Sequence, residues 1–230
     1  MERDFEAPDL IEVMDEAVNY NAFLIDELCA WGRGAGRIVD FGAGNGRFAA
    51  ALDDRGFDVA AIEPDVRLRE GIEAGGVATF ESLNAVPEKS VDAIYSINVL
   101  EHIDDDEGIL AAFHDKLKPG GRLFTYVPAF DLLFSQNDRR VGHVRRYRRS
   151  QLVGRIRRAG FRIVSARYVD SLGFFAALAY RAFGDRDGGL KIGAVKAYDQ
   201  IAFPASRVLD RATGTLFGKN LLVRAVHEPR

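Results

Sequence analysis

The sequence predicts an α/β fold in which helices cover both faces of a mostly parallel sheet. Short apolar segments alternate with amphipathic ones along most of the 230 residues. Alternation of this kind is typical of parallel strands joined by crossover helices. A glycine-rich loop also follows the first apolar segment, at 42–46. Because ligands in such sheets bind beyond the carboxyl ends of the strands, this loop is the expected place for a cofactor.

Seven segments have the length and the apolar content of strands. They are 37–41, 57–63, 77–80, 90–97, 122–128, 161–169 and 220–227. The fifth follows Pro119-Gly120-Gly121, a break that is expected to end the helix before it.

Amphipathic segments between the strands predict helices. They are 8–31, 46–56, 64–74, 107–121 and 149–160, followed by a long, partly apolar helical region at 171–218. In the first of them, Asp9 and Glu12 have the spacing of a capping box. We therefore predict a single domain over 1–230, with an N-terminal helical cap at 1–35 and a helical insert or lid at 171–218.

Composition narrows the functional classes. The formal net charge of −3 argues against a protein that binds polyanions over its whole surface, although 139–167 contains many arginines and no acid. A single cysteine, Cys29, excludes an internal disulfide and a cysteine-rich zinc site. No apolar run reaches the roughly 18 residues of a spanning helix, and the acidic start lacks a signal-peptide core. We expect a cytoplasmic protein.

The stretch IVDFGAGNGRFAAAL, 38–52, places glycines at alternate positions directly after Asp40. Glycine allows positive φ and a close approach of backbone to ligand, and the amides that open the next helix can meet polar ligand groups. The spacing G-x-G-x-G differs from the dinucleotide pattern G-x-G-x-x-G. An acid beside the loop would repel a pyrophosphate and suits a cofactor that carries an ammonium.

A second acid ends the next strand. Glu63, followed by Pro64 and Asp65, lies seventeen residues after Gly46. An acid at this place can accept both hydroxyls of a ribose. On its own such an acid is often only a helix cap, but its order after the glycine loop favours a binding role.

Four segments together resemble the class I S-adenosylmethionine-dependent methyltransferases. They are VDFGAGNGRF, AAIEPD, SVDAIYSINVLEHIDD and LKPGGRLFTYVP, which span 39–128 in that family's order. The resemblance implies a Rossmann-like sheet of order 3-2-1-4-5-7-6 with an antiparallel seventh strand. It also implies S-adenosylmethionine as the cofactor. The chain's GHxRRY segment, 142–147, is similar to that of a subgroup of bacterial small-molecule methyltransferases.

The resemblance assigns roles to individual residues. Asp40 and the backbone of Gly42, Ala43 and Gly44 would face the methionine part of the cofactor. Glu63, next to Pro64, would take the ribose hydroxyls.

By the same resemblance, Ser82 and Leu83 would border the adenine, and Asn98 would lie under the sulfonium. Tyr20 is a further candidate for contact with the cofactor. The alternative, which has equal weight, is that Tyr20 is only a half-buried aromatic residue of the helix. Glu101 and His102, which follow Asn98, are interpreted as structural.

The segment 134–152 follows the fifth strand, where substrate loops of the family tend to lie. His143 titrates in the useful range and could act as a general base; the alternative is a residue that anchors the loop. Tyr147 could shape the acceptor pocket, or it could only pack the loop. The nearby arginines could bind phosphate or carboxylate, or they could form a solvated face: Arg145, Arg146, Arg148 and Arg149.

Three interpretations of the 171–218 insert stay open. It is a lid over a hydrophobic acceptor, a homodimer contact, or an interfacial helix on a membrane. The apolar insert and the arginines of 134–152 together suggest an amphiphilic or anionic small-molecule acceptor such as a lipid, a sugar or a secondary metabolite.

Other classes of protein fit less well. A nicotinamide-dependent oxidoreductase would need the dinucleotide spacing, and amino-methylating nucleic-acid enzymes commonly carry N/D-P-P-Y/F where this chain has INVLEH. We therefore expect no nucleic-acid partner. A noncatalytic cofactor-binding protein remains an alternative. Asp131, Asn137 and Asp138 are too loosely placed for a metal cluster, and we predict no metal.

Overall fold

The computed structural model of the protein describes residues 13–183 and 192–228. Seven strands form one sheet in the order β3-β2-β1-β4-β5-β7-β6. All neighbours pair in parallel except β7, which is antiparallel to both β5 and β6. The strands are β1 (Arg37–Phe41), β2 (Asp58–Ile62), β3 (Ala78–Phe80), β4 (Val91–Ile97), β5 (Leu117–Pro128), β6 (Phe161–Val169) and β7 (Asn220–His227). The predicted fold class is confirmed.

Helices cover the sheet. They are α1 (Val18–Gly32), α2 (Arg47–Asp53), α3 (Val66–Ala74), α4 (Asp106–Lys116), α5 (Gln136–Arg140), α6 (Arg149–Arg158), α7 (Ser171–Phe183), α8 (Ile192–Ala197) and α9 (Phe203–Thr213). A turn of π-helix, Tyr198–Ala202, joins α8 to α9, and short 3₁₀ turns follow β4 and β5 at Leu100–His102 and Asp131–Leu133. The proposed capping box of Asp9 and Glu12 lies outside the described residues.

The fifth strand begins earlier than the sequence predicts. Leu117 already pairs with Val91, and the register then shifts before Ala93 pairs with Arg122. Pro119, Gly120 and Gly121 therefore form an irregularity within β5, and α4 ends at Lys116. The left-handed φ of Gly120, 79°, shows why glycine is needed at this bend.

Two apolar cores lie on opposite faces of the sheet. Alternate residues of β1 enter them: Val39 and Phe41 belong to one core, and Ile38 belongs to the other. The alternation follows from the two-residue period of a strand. Asp40 therefore shares the face of Ile38, the face on which α1 packs through Leu24.

The insert after β6 is tied to the N-terminal helix. The carboxylate of Asp199 accepts hydrogen bonds from the backbone amides of Asn19 and Tyr20, both at 2.8 Å. Asn19 also donates its side-chain amide to the Asp199 carbonyl at 3.0 Å. Asp199 is buried, so a residue far along the chain satisfies first-turn amides of α1 that have no partner within the helix.

Within the described residues, no helix combines the length and the apolar character needed to cross a membrane.

Candidate active site

A cavity of about 830 Å³ opens at the carboxyl ends of the central strands. Its volume lies in the upper part of the roughly 300–1,000 Å³ range of small-molecule sites. Every cofactor candidate named from the sequence lies in its wall. These residues are Tyr20, Asp40, Gly42, Ala43, Gly44, Glu63, Pro64, Ser82, Leu83 and Asn98.

The glycine loop needs its glycines for conformation and for space. Gly42, Gly44 and Gly46 have φ values of 76°, 57° and 78°, a region that other residues enter at a steric cost. A Cβ at Gly42 would lie 2.5 Å from Cγ2 of Val99. The loop therefore presents bare backbone to the cavity.

Asp40 is buried at the end of β1, with 2% of its surface exposed. Its Oδ2 atom has no hydrogen-bond partner among the described residues. Burial, with a smaller contribution from Glu63, raises the pKa of Asp40 to about 7. The hydroxyl of Tyr95 partly opposes this rise in pKa. A buried carboxylate oxygen without a hydrogen bond is costly, so Oδ2 is well suited to a cationic ligand group such as an ammonium.

Glu63 connects β2 to the glycine loop. Its Oε2 accepts the amide of Gly44 at 2.8 Å, and its Oε1 accepts the amide of Asp65 at 3.0 Å. Burial raises the pKa of Glu63. Each carboxylate oxygen retains a second acceptor position, so Glu63 can shape the loop and still accept ribose hydroxyls.

Asn98 and Tyr20 contribute to the cavity from two other elements. Asn98 follows β4 with a φ of 53°. Its backbone amide donates a hydrogen bond to the carbonyl of Tyr126 at 2.8 Å. A positive φ at a residue other than glycine often marks a functional position. Tyr20, on α1, makes edge-to-face contacts with Tyr126 and Phe203, so it combines cavity lining with helix packing.

His143 lies in the cavity wall, on the loop between α5 and α6. Its Nδ1 is 2.7 Å from Oδ1 of Asp138. Asp138 is itself buried and receives two hydrogen bonds from Arg146, at 2.8 and 3.0 Å. Burial opposes ionisation of Asp138, but the bonds from His143 and Arg146 hold its pKa well below the usual range.

The second nitrogen of His143, Nε2, lies 3.7 Å from Oε1 of Glu101. Glu101 is completely buried. The ring of His143 also meets that of His102 at a centroid distance of 4.7 Å. Three titratable side chains therefore converge at one wall of the cavity.

Tyr147 lies in the core rather than in the cavity wall. It is buried, and its hydroxyl donates to Oδ2 of Asp106 at 2.6 Å while lying 3.1 Å from the carbonyl of Leu100. Burial and Asp106 together raise its pKa. Of the two interpretations that the sequence left open, this placement favours loop packing over contact with an acceptor.

The arginines of the same segment are largely engaged within the chain. Arg145 pairs with Asp106 at 3.0 Å, and Arg146 pairs with Asp138. Of the four arginines considered, only Arg146 lines the cavity. Its charge offsets that of Asp138, so it is a weaker candidate for binding an anionic acceptor than the sequence alone indicated.

Some cavity residues carry no local signal in the sequence. Lys219 and Asn220, at the start of β7, enter the wall because β7 lies beside β5. Asn220 is buried opposite Pro128. Their position follows from the sheet order, so pattern and spacing near the glycine loop could not indicate them.

Comparison with known proteins agrees with this geometry. Residues 14–166 match the family model described as a methyltransferase domain. Over 98 residues the chain is 37% identical to a ubiquinone biosynthesis O-methyltransferase of Xylella fastidiosa. This match covers 38% of this chain and 40% of that protein. Over 126 residues it is 30% identical to an uncharacterized methyltransferase of Mycobacterium tuberculosis, covering 53% and 48%. The chain thus matches less than half the length of these curated relatives.

The fold also has a close counterpart among solved structures. A SAM-dependent methyltransferase of Thermotoga maritima, described as a possible histamine N-methyltransferase, superposes with a TM-score of 0.65 at 16% identity, covering 97% of this chain and 96% of that one. At this identity the likeness bears on the fold alone. With the family match over 14–166, the chain belongs to the class I S-adenosylmethionine-dependent methyltransferases, and S-adenosylmethionine is its cofactor.

Proposed function

We propose that this chain transfers a methyl group by in-line displacement to an oxygen of a small-molecule acceptor. The observation that carries the proposal is that one cavity holds both sets of groups. Asp40, the glycine loop and Glu63 lie in its wall, and so does His143, which Asp138 orients.

Three features of the chain would hold the cofactor. The unpaired Oδ2 of Asp40 suits the ammonium of the methionine part, and the backbone of 42–44 can approach it closely. Glu63 can accept the ribose hydroxyls, and Ser82 and Leu83 would border the adenine. Asn98 and Tyr20 would complete the wall near the sulfur.

When bound, S-adenosylmethionine supplies a methyl carbon activated by the positive sulfonium. The chain must then align the acceptor with that carbon and exclude water. An acceptor hydroxyl must also lose its proton. Because Nδ1 of His143 is engaged with Asp138, we propose that Nε2 is the atom through which His143 acts on the acceptor.

The acceptor class is inferred from the relatives and the cavity. Relatives named ubiquinone biosynthesis O-methyltransferase support an oxygen acceptor. Apolar residues such as Phe48, Ile103 and Ile109 line the cavity, which supports an acceptor with a hydrophobic body. We place less weight on an anionic group, since Arg146 already pairs with Asp138.

We also propose that the insert at 171–218 acts as a lid rather than as a membrane-surface or dimer element. The support is the contact of Asp199 with the first turn of α1, beside the cavity residue Tyr20. No described residue of the insert itself lines the cavity, so a movement of the insert would reach the site through Tyr20.

Two measurements test the function. Calorimetry on the purified chain should detect binding of S-adenosylmethionine and of its homocysteine product, but no binding of a nicotinamide dinucleotide. Transfer of labelled methyl should then be followed to phenols and catechols with and without prenyl tails, to sugars and to prenyl phosphates.

We expect transfer to hydroxylated aromatic acceptors, with higher turnover when an apolar tail is present. Cofactor binding without transfer to any acceptor would favour the noncatalytic alternative, and transfer to RNA with steep salt dependence would favour a nucleic-acid enzyme. Absence of cofactor binding would overturn the proposal altogether.

A further inference from the structure

Glu101, His102 and His143 bring three potential metal ligands together in one place. Glu101 and His102 belong to the 3₁₀ turn that follows β4, and His143 comes from the loop after α5. One ligand atom from each residue lies within 4.8 Å of the other two. Ligand atoms around one cation at about 2.0–2.2 Å lie about 3–3.5 Å apart, so small side-chain rotations would complete a coordination site.

Glu101 is the observation that points to a ligand. Its side chain has an exposed fraction of 0%, and neither carboxylate oxygen has a hydrogen-bond partner among the described residues. A buried carboxylate without a partner is strongly unfavourable. Nε2 of His143 is 3.7 Å from Oε1 of Glu101, beyond hydrogen-bond distance.

His143 is oriented as a metal-ligating histidine commonly is. Asp138 lies 2.7 Å from Nδ1 of His143, which fixes the ring and leaves Nε2 directed towards Glu101. A carboxylate behind a ligating histidine is a recurrent arrangement in metal sites. His102 lies beside His143, with a ring-centroid distance of 4.7 Å, and lines the same cavity.

We infer that Glu101, His102 and His143 bind one divalent transition-metal ion in the wall of the cavity. Two imidazoles and one carboxylate suit Zn²⁺, Mn²⁺, Fe²⁺ or Co²⁺ better than Ca²⁺ or Mg²⁺, which prefer oxygen ligands. Three protein ligands leave coordination positions open. His102 and His143 both line the cavity, so the open positions face the space for the acceptor. This proposal departs from the expectation of no metal, which considered only Asp131, Asn137 and Asp138.

The role of the ion rests on the proposed function. A divalent cation lowers the pKa of a hydroxyl bound to it, so the acceptor hydroxyl would lose its proton to solvent. An electron pair of that oxygen then forms the bond to the methyl carbon, while the bond from that carbon to sulfur breaks and its pair stays on sulfur. In this arrangement His143 acts through the cation, because a coordinated Nε2 is not also a base.

Metal binding can be measured without cofactor or acceptor. The full chain is stripped with a chelator, dialysed, and titrated separately with Mn²⁺, followed by its paramagnetic resonance, and with Zn²⁺, followed by calorimetry. We expect one ion per chain. Glu101→Gln and His143→Asn should each weaken binding at least tenfold, and Asp138→Asn should weaken it by about 10- to 100-fold through the orientation of His143.

The control is Glu88→Gln, which removes an exposed carboxylate outside the cavity and should bind as the unaltered chain does. Circular dichroism of each metal-free variant establishes that it is folded, and His102→Asn replaces any variant that is not. Failure of the unaltered chain to bind either ion, or equal binding by all folded variants, would overturn the metal site. Calorimetry with S-adenosylmethionine on the same preparations tests the proposed function separately, so the two failures are distinguishable.

Discussion

Nδ1 of His143 lies 2.7 Å from Oδ1 of Asp138, and the same carboxylate holds the guanidinium of Arg146 through two hydrogen bonds. It also accepts the backbone amide of Ser135 at 2.7 Å. One buried acid therefore determines the conformation of the segment between α5 and α6. The loop that carries His143 is therefore held in place by charges that are paired inside the chain.

Asp138→Asn should therefore destabilise the fold. The substitution leaves the largely buried guanidinium of Arg146 without its charged partner, and breaking one side of a buried ion pair costs about 3–5 kcal/mol. Urea unfolding at pH 7 measures the change in the free energy of unfolding. The matched control is Asp54→Asn, an exposed aspartate, for which we expect less than about 0.5 kcal/mol. Equal values for the two variants would contradict the central role of Asp138.

Affinity for S-adenosylmethionine should increase with pH. The pKa of Asp40 is raised to about 7, so its ionised fraction in the free chain increases from about one tenth at pH 6 to about nine tenths at pH 8. The carboxylate is the form that attracts an ammonium. Calorimetry should thus show about tenfold tighter binding at pH 8 than at pH 6.

Asp40→Asn provides the control for this pH dependence. The amide is close in size to the carboxyl but does not ionise, so the variant should bind weakly at both values of pH and lose most of the difference. A variant that kept the full tenfold change would show that another group is responsible.

Glu63→Gln should weaken cofactor binding and leave the fold intact. Its amide oxygen can still accept the amide of Gly44, but its nitrogen cannot accept a hydrogen bond from Asp65 or from a ribose hydroxyl. Hydrogen bonds to charged groups contribute about 1.5–3 kcal/mol, which corresponds to roughly 10- to 150-fold in affinity. The dissociation constant is measured by calorimetry, with Glu88→Gln as the exposed control. An unchanged constant would exclude Glu63 from the cofactor site.

The sheet and the cofactor half of the site could be predicted because their signals are local. The bounds of β1, β6 and β7 agree with the predicted segments, since each is a short apolar run bounded by loop residues. Asp40 lies near the end of β1 and Glu63 directly follows β2, and parallel strands end at the same edge of a sheet. Their convergence on the glycine loop was therefore implied by the order of the elements.

The acceptor half depended on contacts that no spacing reveals. His143 and Tyr147 are four residues apart, yet one lines the cavity and the other packs in the core, because Tyr147 pairs with Ala129 beside β5. Nor could the sequence show that Glu101 is buried without a partner. That property depends on three segments meeting, and the same residue on a surface turn would be unremarkable.

Tyr147→Phe tests the placement of this side chain. Removing the hydroxyl leaves Oδ2 of Asp106 without one donor, although Arg155 still contacts that atom. We expect a loss of about 1–3 kcal/mol in the free energy of unfolding. Cofactor affinity should be unchanged, since Tyr147 is outside the cavity wall. A substantial loss of cofactor binding in folded protein would contradict the packing role.

Asp199→Asn tests the coupling between the insert and α1. The carboxylate accepts the amides of Asn19 and Tyr20, which lie in the first turn of α1, where a negative charge is favourable. An asparagine side chain can accept only through its oxygen, so one of the two amides loses its partner. We expect a loss of about 0.5–2 kcal/mol in the free energy of unfolding, and faster hydrogen exchange at those two amides.

Because Tyr20 lines the cavity, S-adenosylmethionine should also bind more weakly. Asp54→Asn again serves as the exposed control, and faster exchange with unchanged cofactor affinity would show that the insert supports the helix without closing the site.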